Sequence, residues 1–198
     1  NSVPQNWGVV QNDEGIIYVA NQAGILEHDG ESWRNISLPD AVPCRSIFYF
    51  DGVIYAGGPN EFGYLNYDGA GKPIYTSLSK EIKKEFKIIN KIFNIGKSIY
   101  FQSSQFVFKY RDGKLKILID EEKVKTLIPF DNYFIVETEN GVCKKIFENE
   151  EKVTNALPLI FGQHIISSRN LSPTRKLIVT SKYNFYFLNL TNKGIEVE

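Results

Sequence analysis

Residues 6–39 read NWGVVQNDEGIIYVANQAGILEHDGESWRNISLP, and residues 44–78 read CRSIFYFDGVIYAGGPNEFGYLNYDGAGKPIYTSL. Both stretches follow one order: a strand, a turn, a strand rich in aromatic and β-branched residues, a polar turn, a third strand, Asp-Gly and a fourth strand. A four-stranded unit that returns about every 40 residues is typical of a propeller blade. The sequence therefore predicts an all-β fold, a β-propeller of four-stranded antiparallel blades.

Two series of turn residues extend the repeat along the chain. The turn before each second strand falls at Gly15, Gly52, Gly96, Asn132 and Lys176. The turn before each fourth strand falls at Gly30, Gly69, Gly113, Asn149 and Asn192. The first three of the later turns are Asp-Gly pairs, which tolerate positive φ in a tight hairpin. We therefore predict a single propeller domain with blades at residues 6–39, 44–78, 87–120, 123–157 and 163–198.

One segment has a helical pattern. Ser79 is a possible N-cap for KEIKKEFKII, in which Ile82, Phe86 and Ile89 would share one face. We expect a short helix here, between the second and third blades.

The composition limits the possible partners. The chain has 23 Lys+Arg against 23 Asp+Glu, so its net charge gives no reason to expect binding of nucleic acid or an anionic membrane. No apolar run approaches the roughly 20 residues of a membrane helix. The chain begins without Met, at NSVPQNW, which indicates a processed or trimmed segment.

The length suggests part of a larger propeller. Five blades use all 198 residues, and most propellers close with more blades than five. A small closed ring of five blades is the alternative. If the ring is incomplete, the first and last blades each present an apolar face, so we expect self-association, most simply as a two-fold dimer.

The first two blades resemble a known family. Trp7, EGIIYVAN, GILEHDG and SWRNISLP in the first blade, and GVIYAGGPNEFGYL (residues 52–65) in the second, are similar to the regulator-propeller repeats of periplasmic sensor domains. The resemblance is close over residues 6–78 and looser beyond. Such domains form the extracytoplasmic half of hybrid two-component histidine kinases, typical of Bacteroidetes, and of membrane-anchored helix-turn-helix regulators.

The resemblance implies a function as well as a fold. It implies a periplasmic domain that senses a ligand, often a glycan breakdown product, and reaches the membrane only through downstream parts. Fold-level analogy does not by itself assign a function. A protein-interaction scaffold and the propeller of a helix-turn-helix regulator therefore remain alternatives.

The residues give little support to catalysis. Propeller glycosidases place paired acids, or Arg and His clusters, on the innermost strands. The predicted first strands (WGVVQ, CRSIF, KIINK, VKTLI and HIISS) contain no acid and only Arg45 and His164 as further candidates. His28 is expected to be a solvated turn residue, and two isolated histidines make no metal site. We expect a binding module with neither a cofactor nor a bound metal.

A ligand would be bound by loops at one rim. In a propeller, the turns from second to third strands lie on one face, and loops carry recognition because they vary over a rigid scaffold. These turns hold amide, hydroxyl, acidic and aromatic groups suited to a small molecule or an oligosaccharide. The predicted ligand-binding residues are Asn21, Gln22, Asn60, Glu61, Ser104, Gln105, Glu139, Asn140, Lys182 and Tyr183.

The cysteines and tryptophans give two structural expectations. Cys44 and Cys143 fall on different blades, too far apart for the ~7 Å Cα limit of a disulfide, so both should be free, buried thiols. Trp7 should pack on the inner side of the first blade. Trp33 should cover the apolar edge between sheets, and its truncation would then cost about 3–5 kcal/mol.

Overall fold

The structure, a computed structural model, describes residues 5–120, 123–139, 143–148, 151–153, 165–172, 174–191 and 194–198. Within these ranges the strands form five antiparallel sheets, each made of four strands consecutive in sequence. The first sheet contains β1 (Asn6–Gln11), β2 (Ile17–Asn21), β3 (Gly24–His28) and β4 (Trp33–Ile36). A 3₁₀ turn (Pro39–Ala41) follows it.

The remaining sheets repeat this arrangement. The second contains β5 (Ser46–Phe50), β6 (Val53–Gly58), β7 (Glu61–Tyr67) and β8 (Pro73–Ser77). The third contains β9 (Lys91–Ile95), β10 (Ser98–Gln102), β11 (Val107–Arg111) and β12 (Lys114–Ile119). The fourth contains β13 (Val124–Pro129), β14 (Tyr133–Thr138), β15 (Cys143–Phe147) and β16 (Glu151–Val153). The fifth contains β17 (Ile165–Ser172), β18 (Arg175–Thr180), β19 (Phe185–Thr191) and β20 (Gly194–Val197).

The predicted four-stranded antiparallel repeat is thus confirmed, with five copies. The predicted second strands correspond to β2, β6, β10, β14 and β18. Two first strands begin later than predicted: β5 at Ser46 rather than at Cys44, and β9 at Lys91 rather than at Lys87. Lys87 has a positive φ of 61°, which does not fit an extended strand.

The chain forms two compact units, at Asn1–Glu122 and Lys123–Glu198. The first unit holds the first three sheets, and the second unit holds the last two. The prediction of a single domain stays a prediction.

The first two sheets enclose a mixed aliphatic and aromatic core. Tyr18, Ala20 and Ile25 of the first sheet pack in one buried cluster with Ile54 and Leu65 of the second. Trp7 is half-buried against this cluster, and the Arg45 guanidinium lies 3.9 Å from the centre of its ring. The prediction that Trp7 packs in a structural role is therefore confirmed, while the cation–π contact ties the two sheets together.

The second and third sheets are joined by aromatic side chains. Phe62 lies at the centre, with ring centroids 4.5 Å from Phe101, 4.9 Å from Phe108 and 5.4 Å from Phe86. All four side chains are fully buried. Tilted and edge-to-face rings at these distances gain energy beyond the area that they bury.

The predicted helix after Ser79 is wrong. The segment makes one turn, in which the Ile82 N–H donates to the Ser79 carbonyl oxygen at 2.9 Å, and its later residues bond to the β6–β7 hairpin. There the Asn60 Oδ1 accepts the backbone N–H groups of Phe86 and Lys87, at 2.9 and 2.7 Å. Ile88 forms a bridge with Pro59. The apolar spacing marked buried residues correctly, since Phe86 and Ile89 are fully buried. They fill the space between two sheets without helical hydrogen bonds.

The first and last sheets differ from the middle ones in burial. Every residue but one is buried in β6 and β10, whereas buried and half-buried residues alternate in β2 and in β18. Alternation is the pattern of a sheet with one covered face. The first and fifth sheets therefore each keep one face that is only partly covered.

Trp33 lies on this partly covered face of the first sheet, and the prediction that it is buried between sheets is wrong. Its side chain is 59% exposed, and its ring centroid lies 4.6 Å from that of His28. The reason is its place in β4, the outermost strand, where it pairs with His28 at the edge of the sheet. His28 itself is half-buried at the end of β3, and its Nδ1 accepts the Gly30 N–H at 3.2 Å, so it is a turn residue that is less solvated than predicted. His164 lies outside the described residues.

Cys44 is a free, buried thiol, as predicted, while the side chain of Cys143 lies outside the described residues. Burial raises the pKa of the Cys44 thiol to about 12, and its Sγ lies 3.3 Å from the Ser46 carbonyl oxygen, to which it donates. A thiol whose pKa is raised in the folded state stabilises the fold fully below its unfolded pKa. That contribution is lost as the pH rises from about 9 toward 12.

We therefore expect Cys44 to be unreactive in the folded chain at pH 8. In the variant Cys143→Ser, where Cys44 is the only thiol, Ellman's reagent should give almost no colour without denaturant and one equivalent in guanidinium, because the thiolate is the reactive species. Rapid reaction of the folded variant would contradict the burial of Cys44.

Candidate functional site

The predicted rim residues of the first unit have mainly structural partners. Asn21 is buried, and its Nδ2 donates to the Asn6 Oδ1 at 2.7 Å while its Oδ1 accepts the Ala23 N–H. Glu61 is also buried, accepting the Tyr75 and Ser77 hydroxyls at 3.1 and 3.0 Å. Burial raises the pKa of Glu61. The side chains of Asn21 and Glu61 thus hold hairpins and strands together.

The other rim residues are more accessible. Asn60 is exposed but anchors the segment before β9. Gln22 and Gln105 are half-buried, and Ser104 is exposed.

In the second unit, Glu139 forms an ion pair with Lys123 at 3.2 Å, and Lys182 and Tyr183 are exposed. Asn140 lies outside the described residues. The role of all ten residues in ligand binding stays a prediction.

The structure reveals a different concave site, a cleft of about 690 Å³ between the first and second sheets. It opens among the β1–β2, β3–β4, β5–β6 and β7–β8 turns, at the opposite strand ends from the predicted rim. We call it the turn cleft. Its polar and aromatic lining includes Asp13, Glu14, Tyr18, Glu27, Asp29, Ser32, Arg34, Tyr49 and Tyr67.

The floor of the turn cleft is a row of side chains across three strands of the first sheet. Tyr18 of β2 is directly opposite Glu27 of β3, which is directly opposite Arg34 of β4. Directly opposed residues place their side chains on one face of a sheet. Strand pairing therefore brings a phenol, a carboxylate and a guanidinium into line.

A hydrogen-bonded chain connects this row to the second sheet. The Tyr67 hydroxyl of β7 donates to the Glu27 Oε2 at 2.8 Å and lies 2.5 Å from the Tyr18 hydroxyl. The Glu27 Oε1 accepts the Arg34 Nε at 3.1 Å and also contacts Nη2. Glu27 is only 3% exposed, so its charge is compensated where water has little access.

Burial and hydrogen bonding set the protonation of the two tyrosines and the arginine in this hydrogen-bonded chain. Burial raises the pKa of the Tyr18 hydroxyl. Burial, then the hydrogen bonds with Tyr18 and Glu27, raise the pKa of Tyr67 far above its usual value. The hydrogen bond with Glu27 raises the pKa of Arg34. Both phenols are therefore neutral and the guanidinium is charged throughout the physiological range.

The mouth of the turn cleft is acidic. The Asp13 Oδ2 accepts the Tyr49 hydroxyl at 2.6 Å, which joins the β1–β2 turn to the second sheet. Asp29 Oδ1 accepts the backbone N–H groups of Glu31 and Ser32, at 2.9 and 2.8 Å, and these bonds lower the pKa of Asp29. With Glu14 in the same turn as Asp13, three acidic side chains surround the opening.

The corresponding row of the second sheet, Tyr55, Tyr64 and Thr76, contains no charged residue. There the strand pair that corresponds to Tyr18 and Glu27 is Tyr55 and Tyr64. Their rings pack with Phe101, 6.1 Å from Tyr55, and with Tyr110, 6.0 Å from Tyr64. Because aromatic packing serves at this position in the second sheet, the fold does not require a buried carboxylate there.

Sequence reasoning missed the turn cleft because EHDGESW has the composition of a solvated turn. A signal was present: Glu27 alternates in phase with Ile25, so it lies on the face that packs against the second sheet. An acid at a core position, with Arg34 seven residues later on the other strand of the same hairpin, indicates a buried ion pair.

Two features are absent from the described residues. Among them, no three His, Cys, Asp or Glu side chains are grouped closely enough to hold a metal ion. In the same part of the chain, no helix has both the length and the apolar character needed to cross a membrane.

No family model and no curated protein matches this sequence. Solved structures do match. The extracellular domain of BT3049 from B. thetaiotaomicron, named as a hybrid two-component system, is 15% identical with a TM-score of 0.70 over 99% of this chain. That of BT4673 from the same organism, named as a one-component system, is 16% identical with a TM-score of 0.67 over 100% of this chain. The WD40 propeller domain of Doa1 is 10% identical with a TM-score of 0.68 over 98% of this chain.

This chain has the β-propeller fold. The predicted resemblance to sensor propellers is confirmed at the level of the fold, because two of these structures are extracellular domains of signalling systems. The chain spans 28% of the BT3049 structure, 27% of the BT4673 structure and 68% of the Doa1 propeller.

Proposed function

We propose that this propeller senses a ligand in the extracytoplasmic part of a two-component signalling protein of the hybrid histidine kinase type. The observation that carries the proposal is the similarity of the whole chain to extracellular domains of two signalling systems. The sequence of the first two blades supports it independently. A periplasmic location follows from the same proposal.

The output of the parent protein has two candidate forms. BT4673 is also named as a hybrid two-component system, beside its name as a one-component system. The proposed kinase output and a membrane-anchored helix-turn-helix output therefore both fit a sensor with this fold.

The propeller is proposed to act by binding rather than by catalysis. Both oxygens of the buried Glu27 carboxyl accept hydrogen bonds within the protein, from Arg34 and Tyr67, so the group supports the structure of the cleft rather than proton transfer to a substrate. Nucleic acid is a poor partner for the turn cleft because three carboxylates surround its mouth.

The proposed ligand is an oligosaccharide that binds in the turn cleft. Tyr18, Tyr49 and Tyr67 provide aromatic surface, while carboxylates provide acceptors for sugar hydroxyl groups. A volume of about 690 Å³ is within the range of small-ligand sites. The predicted rim at the opposite strand ends is the alternative position.

Binding can be tested by thermal unfolding of the whole chain with a panel of oligosaccharides of two to six sugars, including neutral, amine-bearing and acidic members. A ligand at one hundred times its Kd should stabilise the fold by about 2.7 kcal/mol and raise the melting temperature by several degrees. The absence of any shift across the panel would contradict the oligosaccharide proposal. The variant Asp112→Asn, far along the chain in the β11–β12 turn, is a control that should respond like the wild type.

A second function, interaction with another protein, is favoured by the partly covered faces. On the first sheet, Val9 and Trp33 are 67% and 59% exposed beside half-buried Ile17 and Val19. On the fifth sheet, Phe185 is 67% exposed beside half-buried Val179. We propose that a second copy of the chain covers these faces, because sheet-on-sheet packing already buries the corresponding face of the second sheet within the chain.

Self-association can be measured by light scattering during gel filtration. We expect a mass of twice 22.6 kDa at high concentration, and Val9→Lys should shift the population toward the monomer by placing a charge on the apolar face. A mass of 22.6 kDa at all concentrations would contradict the proposed dimer.

A further inference from the structure

We infer that the turn cleft selects a ligand that carries a protonated amine. The inference rests on the proposed function, in which the chain binds an oligosaccharide in this cleft. It narrows the ligand to an amine-bearing sugar.

The turn cleft carries more negative than positive charge. Glu27 and Arg34 form an ion pair and compensate each other. At the mouth, Asp13, Glu14 and Asp29 remain, and no Lys or Arg of the described residues forms a salt bridge with any of the three. The excess negative charge attracts a cation and opposes uronate or sulfated sugars.

The tyrosine hydroxyls of the turn cleft donate their hydrogens to other groups of the protein. Tyr67 donates to Glu27, so the short contact between the two phenols requires Tyr18 to donate to Tyr67. Tyr49 donates to Asp13. All three phenol hydrogens are therefore used within the protein.

With those hydrogens used, the side-chain donors left in the lining are the Arg34 guanidinium and the Asn12 amide, and carboxylate and phenol oxygens form the rest of its polar surface. The Ser32 hydroxyl also points inward, as a donor to Asp29. Carboxylate and phenol oxygens keep lone pairs that are available to a ligand. An ammonium group has three donors and no acceptor, which matches this set better than a neutral hydroxyl group does.

The arrangement of acids and tyrosine rings in the turn cleft suits one kind of cation. Among the described residues no three potential ligands are close enough to hold a metal ion, so the acids of the turn cleft are spread around its mouth. Spread carboxylates and tyrosine rings suit an organic ammonium group, which gains from cation–π contact as well as from charge. Tyr67, which is 44% exposed, presents such a ring.

The probes for this inference are the trimer of β-1,4-linked glucosamine and its fully N-acetylated counterpart, which differ only in the amine. Calorimetric titration of the whole chain at pH 6, where the amines are protonated, should give a Kd for the glucosamine trimer that is lower by tenfold or more. Asp13→Asn should weaken its binding by about fivefold, because an ion pair at an accessible site is lost while Tyr49 keeps an acceptor. Asp112→Asn, which removes the same charge in the β11–β12 turn, should leave the Kd unchanged.

The outcomes separate this inference from the proposed function. Equal binding of the two trimers, or tighter binding of the acetylated one, would overturn the amine selectivity and leave oligosaccharide sensing in place. Binding of a neutral or acidic oligosaccharide of the panel, with neither trimer bound, would do the same. If nothing in the panel binds, the inference and the proposed oligosaccharide ligand both fail. If Asp13→Asn and Asp112→Asn weaken binding of the glucosamine trimer equally, the amine does not bind in the turn cleft.

Discussion

Replacement of Phe62 by alanine is expected to lower the free energy of unfolding by about 3–5 kcal/mol. Phe62 is fully buried, and its ring lies within 5.4 Å of the rings of Phe101, Phe108 and Phe86. The truncation would leave a cavity between the second and third sheets that neighbouring strands cannot close. Urea unfolding followed by fluorescence measures the change.

The matched control is Trp33→Ala. It removes a larger side chain, but one that is 59% exposed and contacts mainly His28, so the expected loss is within about 0.5 kcal/mol. A loss from Trp33→Ala as large as that from Phe62→Ala would show that Trp33 is covered in solution. That result would support the proposed dimer if it depended on protein concentration.

Replacement of Gly63 by alanine is expected to destabilise the first unit by about 2–4 kcal/mol or to prevent its folding. A Cβ at this position would lie 2.0 Å from the carbonyl oxygen of Thr76, so β7 or β8 would have to move. Both strands belong to a sheet that packs on two others, which leaves little room for the movement.

Gly69→Ala is the control for this substitution. Gly69 has open space within 4 Å of the Cβ position and no positive φ, so alanine should be neutral or slightly stabilising there. Melting temperatures of the two variants, measured at the same concentration, give the comparison. Similar melting temperatures for both would contradict the close approach of Gly63 to β8.

The fold could be predicted because its signals are local. Asp29-Gly30, Asp68-Gly69 and Asp112-Gly113 fix tight turns, and turn residues repeat in phase with β-branched strands. Each of these signals acts over a few residues; the Asp-Gly pair occurs in three blades, and the turn residues and strands recur in all five. Errors in a single blade therefore do not alter the assignment.

The segment after Ser79 could not be predicted in the same way. Its amphipathic pattern was real, but the backbone partners of Phe86 and Lys87 are supplied by Asn60, far away in sequence. Tertiary hydrogen bonds thus replaced helical ones. The prediction for Trp33 failed for a different reason. Its size indicated burial, but a residue in the outermost strand has no sheet beyond it to pack on.

The turn cleft could not be predicted without the register of the strands, and the register cannot be read from the sequence. Asp-Gly turns placed His28 and Trp33 near one hairpin, but only the observed pairing aligns Glu27 with both Tyr18 and Arg34. The contribution of Tyr67 depends further on how the second sheet packs on the first. The polar composition of the rim turns therefore predicted a binding site there, whereas Asn21 and Glu61 of those turns have structural partners.

Hydrogen exchange of the whole chain, with and without the tightest-binding oligosaccharide of the panel, tests the central claim most directly. The account predicts slower exchange in peptides covering residues 12–18, 27–34 and 49–52, which border the turn cleft, and unchanged exchange in residues 21–24, 59–62 and 103–106. Slower exchange only in the latter group would place the ligand at the opposite rim and contradict the assignment of the turn cleft as the sensing site.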